Sequence, residues 1–338
     1  MTPTTRALLE YWTDPARERR LFFCQVEALE TAIYLTEAAR KAGDAWIENS
    51  LRTFAEDANP GLFRIAHKMA TGAGKTVVMA MLIAWHTLNK AANPKDAGFS
   101  DALLIVAPGI TIRDRLRVLL PSDPESYYRQ RDIVPPDRFG DLGRAKIVVT
   151  NYHALQLREK LKAPKLTKLV AGQQPGVFTE TPAEMVRRVT RELGAKRNIV
   201  VLNDEAHHCY RRRVGAEDPG LESLTGEDRR EAAKRDEAAR VWVSGLEALA
   251  AKAGVRAVYD LSAKPFYLRG SGWPEGALFQ WVVSDFSLID AIEAGLVKIT
   301  ECRRADASAL PRKFCVRVGV SAAPTSRCTR RDRRGLQR

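Results

Sequence analysis

Met69-Ala70-Thr71-Gly72-Ala73-Gly74-Lys75-Thr76 is a small glycine-bearing loop between two apolar segments. Ile65 to Lys68 reads as a short strand entering it, and Thr76 to His86 is almost wholly apolar, as a helix buried in an α/β core must be. A strand, a glycine loop and a buried helix in that order restrict the chain to an α/β fold with a largely parallel sheet. The glycines let backbone N–H groups curl around an anion. Lys75 can reach outer phosphates, and the Thr76 hydroxyl can bind Mg²⁺. The helix starting near Lys75 points its positive end at the same place. The strict phosphate-loop pattern asks for Gly where Met69 stands, so by pattern alone the match is partial and a structural turn is the competing reading.

A second segment supplies the partner such a loop needs. Ile199-Val200-Val201-Leu202 is the apolar, β-branched run of a strand buried on both faces. Asp204 and Glu205 follow at its C-terminal end, where open α/β sheets place their ligands. Asp204 would hold Mg²⁺ through water, and Glu205 would orient and activate an attacking water. The competing reading of this acidic pair is a solvated loop.

Further strands are expected over 102–107, 145–150 and 257–261. Helical spacing runs from about Arg19 to Ala42 with Gly43 as its stop, and a short helix runs from Ser287 to Gly295. Residues 1–60 form an N-terminal helical segment and 61–300 the main α/β domain. Stretches near 121–143, 160–196 and 211–240 read as insertions. The first carries four prolines, and the second half of the last reads as a solvated helix.

Hydrophobic content of 45% is ordinary for a globular chain. No apolar run reaches the ~18 residues of a membrane span, and the N-terminus lacks the apolar core of a signal peptide, so a cytoplasmic site follows by default. The net charge of +13 suggests nucleic acid, but from Arg303 onward 11 Arg or Lys face 2 Asp or Glu, which leaves only +4 for everything before. The five cysteines, Cys24, Cys209, Cys302, Cys315 and Cys328, lack zinc-site spacing and read as reduced thiols.

Taken in order, the motifs resemble the ATPase core of superfamily 2, DEAH-box helicases and translocases. More narrowly, they resemble the Res subunit of type III restriction endonucleases, over roughly residues 18 to 300. Gln25, within Arg20 to Ala28, is similar to the glutamine that reads adenine. Thr71, Gly72, Ala73, Gly74, Lys75 and Thr76 match the family's phosphate loop, which needs no Gly at its first position. Leu103 to Pro108 with Arg113, and Val148 to Leu155 with Thr150 and Asn151, resemble the segments that contact the DNA backbone. Asp204 to His207 is similar to the DEAH box. Ser262, in Ser262-Ala263-Lys264-Pro265, stands where the family carries Ser-Ala-Thr-Pro, and Trp281 to Lys298 resembles a stretch of restriction-type members.

The resemblance implies a RecA-like lobe that binds and hydrolyses ATP with Mg²⁺. Lys75, Asp204 and Glu205 would be catalytic, Thr76 and Asp204 would hold the metal, and His207 and Ser262 would couple hydrolysis to motion. Implied partners are double-stranded DNA, a methylation and specificity subunit and a second RecA-like lobe. Lys264 departs from the family's Thr and cannot accept a hydrogen bond when charged. That departure bears on coupling more than on nucleotide binding. Nothing after Lys298 resembles a second lobe, and the alternative is therefore a truncated nucleotide-binding remnant without independent turnover. No nuclease pattern of paired carboxylates and a lysine is read. The resemblance ends near Thr300. The stretch 301–338 is Arg-, Ala-, Ser- and Pro-rich without either apolar period, and is expected to be a low-order basic tail, read either as an interrupted frame after the first lobe or as a basic arm.

Overall fold

Each apolar run becomes a strand because in a parallel sheet both faces are covered. The computed structural model describes residues 1–159, 179–213, 226–269 and 271–297. Its strands are β1 (Arg64–Met69), β2 (Ala102–Ala107), β3 (Lys146–Asn151), β4 (Ile199–Asp204), β5 (Val255–Ser262) and β6 (Val282–Phe286). They form one sheet in the order β3-β2-β4-β5-β1-β6, every neighbouring pair parallel.

The helices that concern the site are α1 (Pro3–Thr13), α2 (Phe23–Ile33), α3 (Ala45–Ala55), α4 (Lys75–Ala92), α5 (Ile110–Arg115), α6 (Pro182–Val189), α7 (Gly226–Ala253) and α8 (Leu288–Glu293). Alternate residues of each central strand serve opposite faces. Leu103, Ile105, Val200, Leu202 and Tyr259 pack with Leu8, Leu29 and the α4 run from Val78 to Leu88 on one face. Leu104, Val106, Ile199, Val201 and Val258 pack with Met185 of α6 and Trp242, Leu246 and Leu249 of α7 on the other. This is the expected α/β, RecA-like architecture with helices on both faces.

Expected helix ends agree with the backbone. α2 continues through a π turn and a last α turn to Gly43, whose φ of 90° provides the left-handed stop. Ser287 caps α8 and Gly295 (φ 69°) follows it. Three points differ from expectation. Residues 121–143 contribute Tyr128, Ile133, Val134 and Leu142 to the core; Tyr128 and Leu142 sit on short helical turns at Tyr127–Gln130 and Phe139–Leu142, and Ile133 and Val134 on the segment between them. The helix expected to be solvated within 211–240 is mostly exposed over 226–240, but it runs on to Ala253 and buries Trp242, Val243, Leu246 and Leu249 beyond the expected end. β6 forms an extra strand beside β1, where alternation is weak and the pattern gives little signal. The expected tail 301–338, residues 160–178 of one insertion and 214–225 of another lie outside the described residues. No helix among the described residues is long and apolar enough to cross a membrane.

Candidate nucleotide site

Sheet order brings the motif residues together. β5 lies between β4 and β1, so the loop after β1, the end of β5 and the acidic segment after β4 share one edge of the sheet. β1 delivers the loop, and β6 steadies its start, where the Ala70 N–H donates to the Phe286 carbonyl at 2.8 Å. Gly72 and Gly74 take φ of 93° and 88°, the left-handed region where L side chains are strained. Among the described residues, no acceptor is found for the amide N–H groups of Gly72, Gly74, Lys75 and Thr76. Together with the first turn of α4 they form a cradle of unsatisfied donors, which is what an anion requires.

Gln25 of α2 reaches this loop. Its amide nitrogen donates to the Ala73 carbonyl at 2.9 Å, and its amide oxygen accepts from the Phe22 N–H at 3.0 Å. An amide has two donors and two lone pairs, so each end of Gln25 keeps one for a ligand. The contact also explains Gly74: a Cβ there would lie 2.2 Å from the Gln25 amide nitrogen. Cys24 is buried against the same loop, and burial pushes its thiol up to about 11. Cys209, the second thiol among the described residues, is pushed up to about 12 for the same reason.

Across the edge, the Lys75 ammonium sits 3.1 Å from Glu205 Oε1. Glu205 has a φ of 49°, unusual for a residue with a Cβ and a form of strain that clusters at functional sites. Asp204, 9% exposed, precedes it. Burial, and then the Glu205 charge, push the Asp204 carboxyl up to about 6, with Lys75 opposing. A phosphate or cation arriving here would meet a carboxylate that is costly to keep ionised alone. His207 Nδ1 lies 2.9 Å from Ser262 Oγ at the end of β5 and 3.4 Å from Glu205 Oε2. Burial and the neighbouring His208 lower His207 to about 4, so its ring is neutral at pH 7. The Lys264 N–H donates to the same Ser262 hydroxyl at 3.1 Å, and its side chain is exposed.

The DNA candidates gather elsewhere on the same edge. Pro108 follows β2, and Thr150 and Asn151 end β3, paired in register with Val106 and Ala107. Arg113 lies on α5 and is held by its neighbour Asp114 at 2.7 Å. A groove of about 500 Å³ opens beside them, between Tyr152, His153 and Gln156 on one side and Lys234, Glu237 and Val241 of α7 on the other. It is separate from the loop and the acidic pair.

Sequence reasoning missed a buried polar cluster under the site, made by Arg64, Asp260, Asn203 and Trp281. The signal was present but weak: Arg64 and Asp260 are charged residues beside apolar ones in β1 and β5, and a buried charge requires a partner.

A comparison with curated proteins finds no match. The family profile described as type III restriction enzyme, res subunit, matches residues 21–227, a span that contains Gln25, the loop, Pro108 to Asn151 and the Asp204–His207 segment. The matched span covers more than half of the chain, and this chain belongs to the type III restriction enzyme res subunit family, whose function is that of a helicase-like, ATP-dependent restriction enzyme subunit.

Proposed function

We propose that the chain binds and hydrolyses ATP as the first RecA-like lobe of a translocase acting on double-stranded DNA in a restriction-modification system. The observation that carries this reading is the 3.1 Å approach of Lys75 to Glu205, which brings the phosphate loop and the acidic segment into one site. The amides of Gly72 to Thr76 would hold the phosphates, with Thr71 and Ala73 shaping the loop, and Gln25 would read the adenine edge. Lys75 would exchange Glu205 for the outer phosphate oxygens. Thr76 and Asp204 would hold Mg²⁺, which neutralises phosphate charge when bound. Freed from Lys75, the Glu205 carboxylate would accept the proton of the attacking water as the bond between the β and γ phosphates breaks. His207 and Ser262 would pass the change from β4 to β5. An arginine from a second RecA-like lobe would complete the charge stabilisation.

Pro108, Arg113, Thr150 and Asn151 would meet the DNA backbone, where contacts position without reading sequence. Site choice would then belong to a methylation and specificity subunit. Such a machine works on cytoplasmic DNA. The test is ATP turnover with and without double-stranded DNA. DNA-stimulated hydrolysis that vanishes in Lys75→Ala supports the reading, and hydrolysis untouched by Lys75→Ala overturns it.

Lys264 favours a second reading, nucleotide binding without turnover, because a charged lysine cannot accept the hydrogen bond that a threonine hydroxyl would. Mg²⁺-dependent ATP binding with no hydrolysis at any DNA concentration, restored to turnover by Lys264→Thr, selects it.

A further inference from the structure

Asp260 is 1% exposed and sits on β5 opposite Asn203 of β4. Its Oδ2 accepts from Arg64 Nε at 2.8 Å and Trp281 Nε1 at 2.7 Å, and forms an ion pair with Arg64 Nη2 at 2.7 Å. Its Oδ1 accepts from Asn203 Nδ2 at 2.8 Å. Arg64 in turn donates from Nη2 to the Cys209 carbonyl at 2.8 Å and from Nη1 to Asn59 at 2.9 Å, and its guanidinium lies 4.6 Å from the centre of the Trp281 ring. Both ends of the acidic segment are therefore tied to one carboxylate. Asn203 binds it directly, and Cys209 binds it through Arg64. Asp204, Glu205 and His207 lie between the two ties.

We propose that Asp260 is a positioning residue, fixing through Asn203 and through Arg64 and Cys209 the loop that aims Asp204 and Glu205 at the phosphate loop. The strained Glu205 backbone supplies the reason: a residue held at a φ of 49° persists only when its surroundings over-determine it. A buried network in which Asp260, Arg64, Asn203 and Trp281 are all paired does this, because low dielectric strengthens each bond and makes each loss costly. The proposal rests on reading that loop as part of a nucleotide site.

Two variants test it. Asp260→Asn removes the charge, and Trp281→Phe removes one N–H while keeping a ring over Arg64. Hydrogen exchange is read at the amides of His208 and Cys209, which donate to the Glu205 and Ala206 carbonyls at 3.2 and 2.8 Å. We expect exchange there to rise about tenfold or more in Asp260→Asn, since a lost bond to a charged group is worth at least that factor, and less in Trp281→Phe, with protection in α4 unchanged. The gain in ATP affinity on adding Mg²⁺ should shrink alongside, while Mg²⁺-free ATP affinity holds. Folded variants with wild-type exchange and wild-type Mg²⁺ coupling overturn the proposal, and Trp281→Phe alone decides if Asp260→Asn does not fold. Wild-type protein that binds no ATP, with exchange raised in the variants, refutes the nucleotide reading but leaves the positioning role standing.

Discussion

Replacing Asp204 by Asn should make the ligand-free protein more stable and weaken the proposed Mg²⁺ binding. The Asp204 carboxyl is raised from 3.8 to about 6, chiefly by burial. A carboxyl raised on folding binds its proton more tightly in the native state. Its ionised form therefore opposes folding, by nothing below the unfolded pKa and by a full amount above the folded one. Two units correspond to about 3 kcal/mol above pH 7, falling to about half that at pH 5. Asn keeps the shape without the charge, so Asp204→Asn should gain roughly that much at pH 7.5, or a rise in Tm of several degrees for a chain of this size. Thermal melts of both proteins at pH 5 and 7.5, without nucleotide, check it. A gain at pH 7.5 that halves at pH 5 agrees. No gain, or a gain independent of pH, would refute the reasoning that burial raises this carboxyl.

Gly74→Ala must accept a φ of 88° and displace the Gln25 amide from Ala73, so it should cost about 1–3 kcal/mol and weaken ATP binding; equal melts for variant and wild type count against the packing argument. Arg64→Ala leaves the Asp260 carboxylate buried without its countercharge, and should destabilise by about 3–5 kcal/mol in denaturant titrations. Arg113→Ala should weaken double-stranded DNA binding evenly across sequences and reduce the salt slope by about 0.9 if one phosphate contact is lost; an unchanged slope removes Arg113 from the interface.

The central strands β2 and β4 were legible because Ala102–Ala107 and Ile199–Leu202 are continuous apolar runs, and continuous runs are what doubly covered parallel strands look like. The positions of the loop and the acidic pair at strand ends were legible because each follows an expected strand, and the structure sets them 3.1 Å apart through Lys75 and Glu205. The stop at Gly43 was legible because a residue in the left-handed region there favours glycine. Other features depend on juxtaposition. Nothing local announces that Gln25 caps the Ala73 carbonyl, or that Arg64 and Asp260 share the same carboxylate bonds across two strands. The strand order, which inserts β5 between β4 and β1 and so sets Ser262 beside His207, comes from tertiary packing. The burial of Tyr128 and Leu142 escaped a reading based on proline and charge, because the short helical turns that carry them have no period to detect.

The central claim is that loop and acidic pair form one site for ATP with Mg²⁺. Calorimetric titration of ATP into the wild-type chain, with and without Mg²⁺, and into Lys75→Ala and Asp204→Asn tests it most directly. The account predicts binding strengthened by Mg²⁺ in the wild type, lost in Lys75→Ala and insensitive to Mg²⁺ in Asp204→Asn. Binding of equal strength in all three, whatever the Mg²⁺ concentration, would contradict it.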